Sequence, residues 1–167
     1  MVNGDVGCVM LMGNVQNLEQ ITSRIKEGGL HTRGFEENTH ITLLFGLDIE
    51  SLDPLSLDLH KFNFSDIVLA DISIFKTPWD FDVLKISVRS EDVLEANRYL
   101  STFPYKSDFL DYIPHITIGY FNKGKADKYP QKLQRFVGDL KFTPTKLIWS
   151  QYNKQTQKYS NLELKSF

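Results

Sequence analysis

Apolar and polar positions along this chain divide it into short strands and three helical stretches. VGCVMLM (6–12) is a compact apolar run and reads as a strand. In NLEQITSRIKEGG, Leu18, Ile21 and Ile25 recur at helical spacing, with Asn17 as N-cap and Gly28-Gly29 as stop. The polar stretch HTRGFEEN (31–38) reads as a loop into a strand near 40–47, and with Gly34 it is a candidate lid. FSDIVLADISIF (64–75) reads as another strand, and DVLKISV (82–88) sets Leu84, Ile86 and Val88 against Val83, Lys85 and Ser87. SEDVLEANRYL then offers one helical face of Val93, Leu94, Ala96, Asn97 and Leu100, capped by Ser90. Beyond the turn-rich FPYKSDFLDYIP comes a strand at 115–121. A third helix starts near Tyr129, because Pro130 favours the first helical turn. TKLIWSQYN (145–153) and the alternating KYSNLELKSF complete the strands.

Two of these strands carry the same polar pair. THITLLFG (39–46) and PHITIGYF (114–121) both read His, apolar, Thr, apolar, 75 residues apart in a chain of 167. Leu18 precedes His40 by 22 residues, as Val93 precedes His115. Strand, helix, loop and His strand therefore repeat as a unit. The expectation is one α+β domain over 1–167 with two pseudo-symmetric lobes. The first unit spans about 5–47, the second about 82–121, and the C-terminal strands 143–165. Two antiparallel-rich sheets should flank a cleft with helices outside.

Composition narrows the chemistry. An apolar fraction of 41% is that of a globular protein with a real core. A single cysteine, Cys8, cannot form an intramolecular disulfide, which fits a reducing cytoplasm. The opening residues lack the basic and apolar regions of a signal peptide, and no 18-residue apolar run suggests a membrane span. A net charge of −2 argues against a long nucleic acid as partner, although a cleft can still focus positive potential on a small anion. CxxC, HExxH and glycine-rich phosphate loops are missing, so neither metal nor dinucleotide cofactor is expected.

On a strand, residues i and i+2 share a face. His40 therefore projects with Thr42, and His115 with Thr117, while Ile41, Leu43, Phe45, Ile116, Ile118 and Tyr120 are expected on the core side. Related by a twofold axis, the polar pairs would converge across one cleft. Two imidazoles can then serve as general base and general acid, since their ordinary pKa near 6.5 lets both protonation states coexist. Thr hydroxyls can donate to non-bridging phosphate oxygens as charge builds on them. Symmetry leaves open which His is base and which is acid. A lone His-x-Thr pair is commonplace on an exposed strand face; its duplication is what points to catalysis. His31 and His60 lack that context and read as surface residues.

Two His-x-Thr motifs in a duplicated small fold resemble the 2H phosphoesterase superfamily, across nearly the whole chain. The resemblance implies metal-independent cleavage of ribose phosphodiesters, with His40, Thr42, His115 and Thr117 at the motif positions. Within the superfamily, THITLLFGL, FDVLKISV and YIPHITIGYF are most similar to the phage anti-CBASS nucleases (the anti-CBASS protein 1 family). That likeness implies hydrolysis of 3′–5′ linkages in cyclic di- and trinucleotide immune signals such as 3′,3′-cGAMP, with the adjacent 2′-hydroxyl as nucleophile, in a host bacterial cytoplasm. The family's aromatic ring on the first strand has no counterpart here, where Cys8, Met10 and Met12 occupy the expected cleft face.

Lys85 is a candidate contact for phosphate or base, with an ordinary solvated lysine as its plainer reading. Trp149 and Trp79 are candidates to stack on a base, against core packing for the first and an oligomer contact for the second. Tyr112, just before the second motif, is a further candidate. The lysines of NKGKADKYPQK read as a solvated face. Alternatives to the cyclic-nucleotide phosphodiesterase are an enzyme opening 2′,3′-cyclic phosphates on RNA ends, a non-catalytic cyclic-nucleotide sponge, and a structural protein that kept the fold. A monomer or weak homo-oligomer is expected.

Overall fold

A computed structural model describes residues 5–109 and 111–167. Among the described residues, eight strands form two four-stranded antiparallel sheets, with three α-helices. In chain order the elements are β1 (Val6–Gln16), α1 (Glu19–Thr22), β2 (Leu30–Phe35), β3 (His40–Asp48), β4 (Val68–Lys76), β5 (Phe81–Arg89), α2 (Glu91–Leu100), β6 (His115–Asn122), α3 (Tyr129–Val137), β7 (Lys141–Asn153) and β8 (Lys158–Ser166). The first sheet has the order β3-β1-β7-β8 and the second β2-β6-β5-β4. This is the expected α+β arrangement, with His40 and His115 each opening its own strand.

Apolar alternation builds the core. Val9 and Leu11 on β1, Ile41 and Leu43 on β3, Leu84 and Ile86 on β5, and Ile116 on β6 are fully buried, and they belong to one hydrophobic cluster spanning both sheets. On α2, Val93, Ala96 and Leu100 fill one face. Ser90 caps that helix as predicted, accepting from the Val93 N–H, while Asp66 accepts from the N–H groups of Glu91 and Asp92. These carboxylate bonds and the Ser90 hydroxyl outweigh desolvation and hold the Asp66 carboxyl below the usual carboxylate range. On α3, which begins at Tyr129 as expected, Gln134 bonds the Ile72 N–H and the Ala70 carbonyl of β4.

Between Asn17 and Asn38 the structure departs from the sequence reading in three places. The first helix is a single turn, and Asn17 does not cap it: with φ at 66° it lies in the left-handed region, and its side chain donates to the Asp139 carbonyl instead. Residues 31–38 are not a plain loop. Their first part is β2, which leaves the first half of the chain and pairs with β6 in the second sheet. Third, His31 is not a plain surface residue, because its ring is only 14% exposed, beside Asp80 and Phe81. His60 is exposed, as expected.

The exchange of β2 has a mirror image. Residues 104–106, from the segment before β6, line the free edge of β3: the Asp48 N–H donates to the Pro104 carbonyl, the Lys106 N–H to the Gly46 carbonyl, and Leu47 bridges to Tyr105. Each His strand is thus bordered on its outer edge by chain from the other half. Gly46 is required there, since with φ at 93° a Cβ would fall 1.8 Å from the Lys106 carbonyl oxygen.

Candidate active site

Both histidines are held in the same way. His40 Nδ1 lies 2.7 Å from the Asn38 carbonyl oxygen, and His115 Nδ1 lies 2.8 Å from that of Ile113. A carbonyl only accepts, so Nδ1 carries the hydrogen in each ring. Nε2 is left as the atom that gains and loses a proton. Each partner lies two residues before its histidine, so the segment entering the strand orients the ring. β3 and β6 run beside each other where the sheets meet, and the His40 charge acts on His115.

Cross-strand pairing fixes what surrounds each pair. In the first sheet Met12 lies opposite His40 and Met10 opposite Thr42, with Lys146 and Ile148 beyond them on β7. In the second, Ser87 lies opposite His115 and Lys85 opposite Thr117. The motifs match, but their neighbours do not: thioethers border one pair, while an ammonium and a hydroxyl border the other. Burial, the largest effect, together with the Lys85 and His40 charges, pushes the His115 imidazole below its ordinary pKa against the pull of the Ile113 carbonyl. Burial likewise lowers Lys85.

Cys8 and Tyr112 both meet Thr42. Cys8 bonds the Thr42 side chain, and burial pushes its thiol up to about 12, so it stays a neutral thiol. Tyr112 donates its hydroxyl to the Thr42 carbonyl at 2.8 Å, and burial raises its phenol further above the ordinary value. Tyr112 therefore contacts the motif backbone.

Sequence reasoning assigned two aromatic residues to the wrong face. β3 carries an extra residue after Thr42: Thr42 pairs with Met10, Leu44 with Val9 and Phe45 with Cys8. β6 does the same after Thr117, where Lys85 pairs with Thr117, Leu84 with Gly119 and Val83 with Tyr120. Such a bulge shifts the alternation by one. Phe45 and Tyr120 consequently turn onto the faces that carry the His-x-Thr pairs, and Phe45 is 46% exposed. The repeat is His-x-Thr-x-x-aromatic in both halves, a signal that simple alternation conceals.

The other candidates separate. Lys85 shares its face with Thr117. Trp79, 56% exposed, stacks on Phe81 at 5.6 Å and 25°, and it sits at the hairpin between β4 and β5. That hairpin is fastened by Thr77, whose hydroxyl accepts from the Trp79 N–H and donates to the Phe81 carbonyl, and by Lys123, which reaches the Thr77 carbonyl. Lys123 and Lys76 meet in turn at the buried Asp82. Phe109, before β6, meets Phe75 of β4 edge-on. Trp149, by contrast, pairs with Val9 on the core face and is 3% exposed, lying over Gly7 where a Cβ would clash at 2.0 Å. It faces away from the motif side chains. Among the described residues, no three His, Cys, Asp or Glu side chains gather as a metal site would require, and no helix is long and apolar enough to cross a membrane.

No protein-family model matches the chain, and no curated protein matches it in sequence. Among solved structures, it is similar to Kluyveromyces marxianus Usb1 with uridine monophosphate. The TM-score is 0.56 at 13% identity, over 95% of this chain and 98% of that one. At that identity the likeness is one of fold.

Proposed function

We propose that this protein is a metal-independent phosphodiesterase that hydrolyses 3′–5′ linkages of cyclic di- and trinucleotides, such as 3′,3′-cGAMP, and so counters CBASS antiphage defence. The observation that carries this reading is the matched anchoring of two imidazoles by Nδ1, each beside its own threonine. One Nε2 takes the proton of the ribose 2′-hydroxyl, whose oxygen attacks phosphorus. The other protonates the departing 5′-oxygen as the P–O5′ bond breaks, leaving a 2′,3′-cyclic phosphate and a 5′-hydroxyl. Water then opens that ring with the two roles exchanged, which completes a net hydrolysis. Thr42 and Thr117 donate to the non-bridging oxygens, and Lys85 supplies positive charge beside them. Trp79 offers an exposed ring for a base.

Purified protein incubated with 3′,3′-cGAMP and EDTA should yield linear product by mass spectrometry. His40→Ala and His115→Ala should each lose on the order of 10²–10⁴-fold in rate. Full activity in either variant would refute the mechanism, and recovery of intact ligand from the wild-type protein would favour a sponge.

A second reading, an enzyme opening 2′,3′-cyclic phosphates on RNA ends, draws support from the fold shared with Usb1, which was solved with uridine monophosphate. An oligonucleotide ending in a cyclic phosphate, compared with cyclic dinucleotides for turnover, separates the two.

A further inference from the structure

The bulge after Thr117 places Tyr120 where three other side chains converge on it. Arg33 of β2 lies with its guanidinium carbon 4.7 Å from the Phe81 ring centre and 5.5 Å from that of Tyr120. Phe81 meets Tyr120 edge-on at 5.6 Å and carries Trp79 stacked on it. Just past β2, Glu36 accepts the Tyr120 hydroxyl at 3.1 Å on Oε2 and the Asn38 N–H at 3.1 Å on Oε1. Its own N–H donates to the Ile118 carbonyl, so its backbone is pinned next to Thr117. Burial comes first in raising the Tyr120 phenol above its ordinary value, and the Glu36 charge adds to it; it therefore stays a donor to the carboxylate.

We infer that Glu36 and Arg33, arrayed around the Tyr120 ring, form a base-reading subsite selective for guanine. The inference rests on the reading of this cleft as a nucleotide site and names the base it takes. Tyr120 and Asn38 each use one lone pair of a different Glu36 oxygen, so both oxygens retain capacity to accept. Guanine alone among the common bases presents two adjacent donors, N1–H and the N2 amino group, on its pairing edge. Adenine and cytosine set an acceptor beside their amino group, and uracil flanks its single N–H with two carbonyls, so each would bring a lone pair against the carboxylate. On its other edge, guanine offers O6 and N7 as paired acceptors, the match for an arginine fork. Held over two rings, Arg33 loses less side-chain freedom on binding than an untethered arginine would. Exposed Trp79 adjoins this group and can cover the base face.

Mononucleotide binding tests the subsite without relying on turnover. By calorimetry, guanosine monophosphate should bind at least about tenfold more tightly than adenosine or uridine monophosphate, the size expected of a bidentate base contact. Glu36→Gln, whose amide oxygen can still accept from Tyr120, should bring guanosine monophosphate down to the level of the other two. Arg33→Met should weaken it in the same direction. Equal affinity for the three nucleotides, or a guanine preference unchanged in Glu36→Gln, would overturn the inference. The two readings fail separately. Equal hydrolysis of 3′,3′-cGAMP and cyclic di-AMP removes guanine selectivity while leaving the phosphodiesterase intact. Guanine-selective binding with no cleavage of any cyclic dinucleotide removes the proposed reaction and leaves the subsite.

Discussion

The Tyr112 hydroxyl donates to the Thr42 carbonyl oxygen at 2.8 Å, tying the segment that enters one His-x-Thr strand to the backbone of the other. Tyr112 lies three residues before His115, and the Ile113 carbonyl that orients the His115 ring lies between them. One side chain thus links the placement of both motifs. Tyr112→Phe removes the bond but keeps the ring. It should lower kcat about tenfold with KM changed less than about threefold, because misalignment penalises the transition state more than binding. Steady-state kinetics on the substrate proposed above is the measurement. A loss confined to thermal stability would mean that the link is merely structural.

Burial and the Lys85 charge bear on how His115 titrates. His115 titrates below its ordinary value because burial, and then the Lys85 and His40 charges, disfavour its protonated form. If His115 is the base, activity requires it neutral, so the acid limb of kcat/KM should fall below about pH 6.5. Lys85→Met removes one of the opposing charges and should move that limb upward. An acid limb in Lys85→Met that coincides with the wild type would show that the ammonium does not act on the base.

Asp82 anchors the hairpin that presents Trp79. Its carboxylate, with a fully buried side chain, accepts from the Gly124 N–H at 2.9 Å and pairs with Lys123 at 3.0 Å and Lys76 at 3.2 Å. Desolvation opposes ionisation, but these three donors prevail and hold the carboxyl below the ordinary 3.8. A depressed folded pKa contributes stability that is complete above the unfolded value and fades as pH falls through the folded one. Asp82→Asn should therefore cost about 1–3 kcal/mol at neutral pH. The difference from wild type should shrink below about pH 4, as read by denaturant melts at several pH values.

Trp149 should matter for stability rather than for substrate. Trp149→Phe opens space over Gly7 and leaves Gln151 Oε1 without the indole N–H that it accepts at 3.2 Å. A loss of about 1–3 kcal/mol is expected with KM unchanged. A raised KM at full stability would return Trp149 to the binding surface.

Much of this arrangement is written locally. His40 and Thr42, like His115 and Thr117, share a face because strand geometry has a period of two, and alternation over 82–88 put Lys85 beside Thr117. Ser90 capped its helix because a hydroxyl at that position meets an N–H three residues on. Local pattern failed where a partner from elsewhere in the chain intervened. Leu18, Ile21 and Ile25 have helical spacing, yet the helix stops after one turn, and much of the polar stretch from His31 became a strand because β6 offered it an open edge.

The duplicated His-x-Thr repeat, the alternating core and the helix starts at Ser90 and Tyr129 were determined by the sequence alone, because each depends on backbone geometry within a few residues. Tertiary structure decided the rest. It chose the exchange by which each half borders the other's His strand, the bulges that turn Phe45 and Tyr120 onto the faces of the His-x-Thr pairs, and the burial of Trp149. Those outcomes depend on hydrogen-bond partners and close contacts contributed by distant segments, which no local pattern encodes.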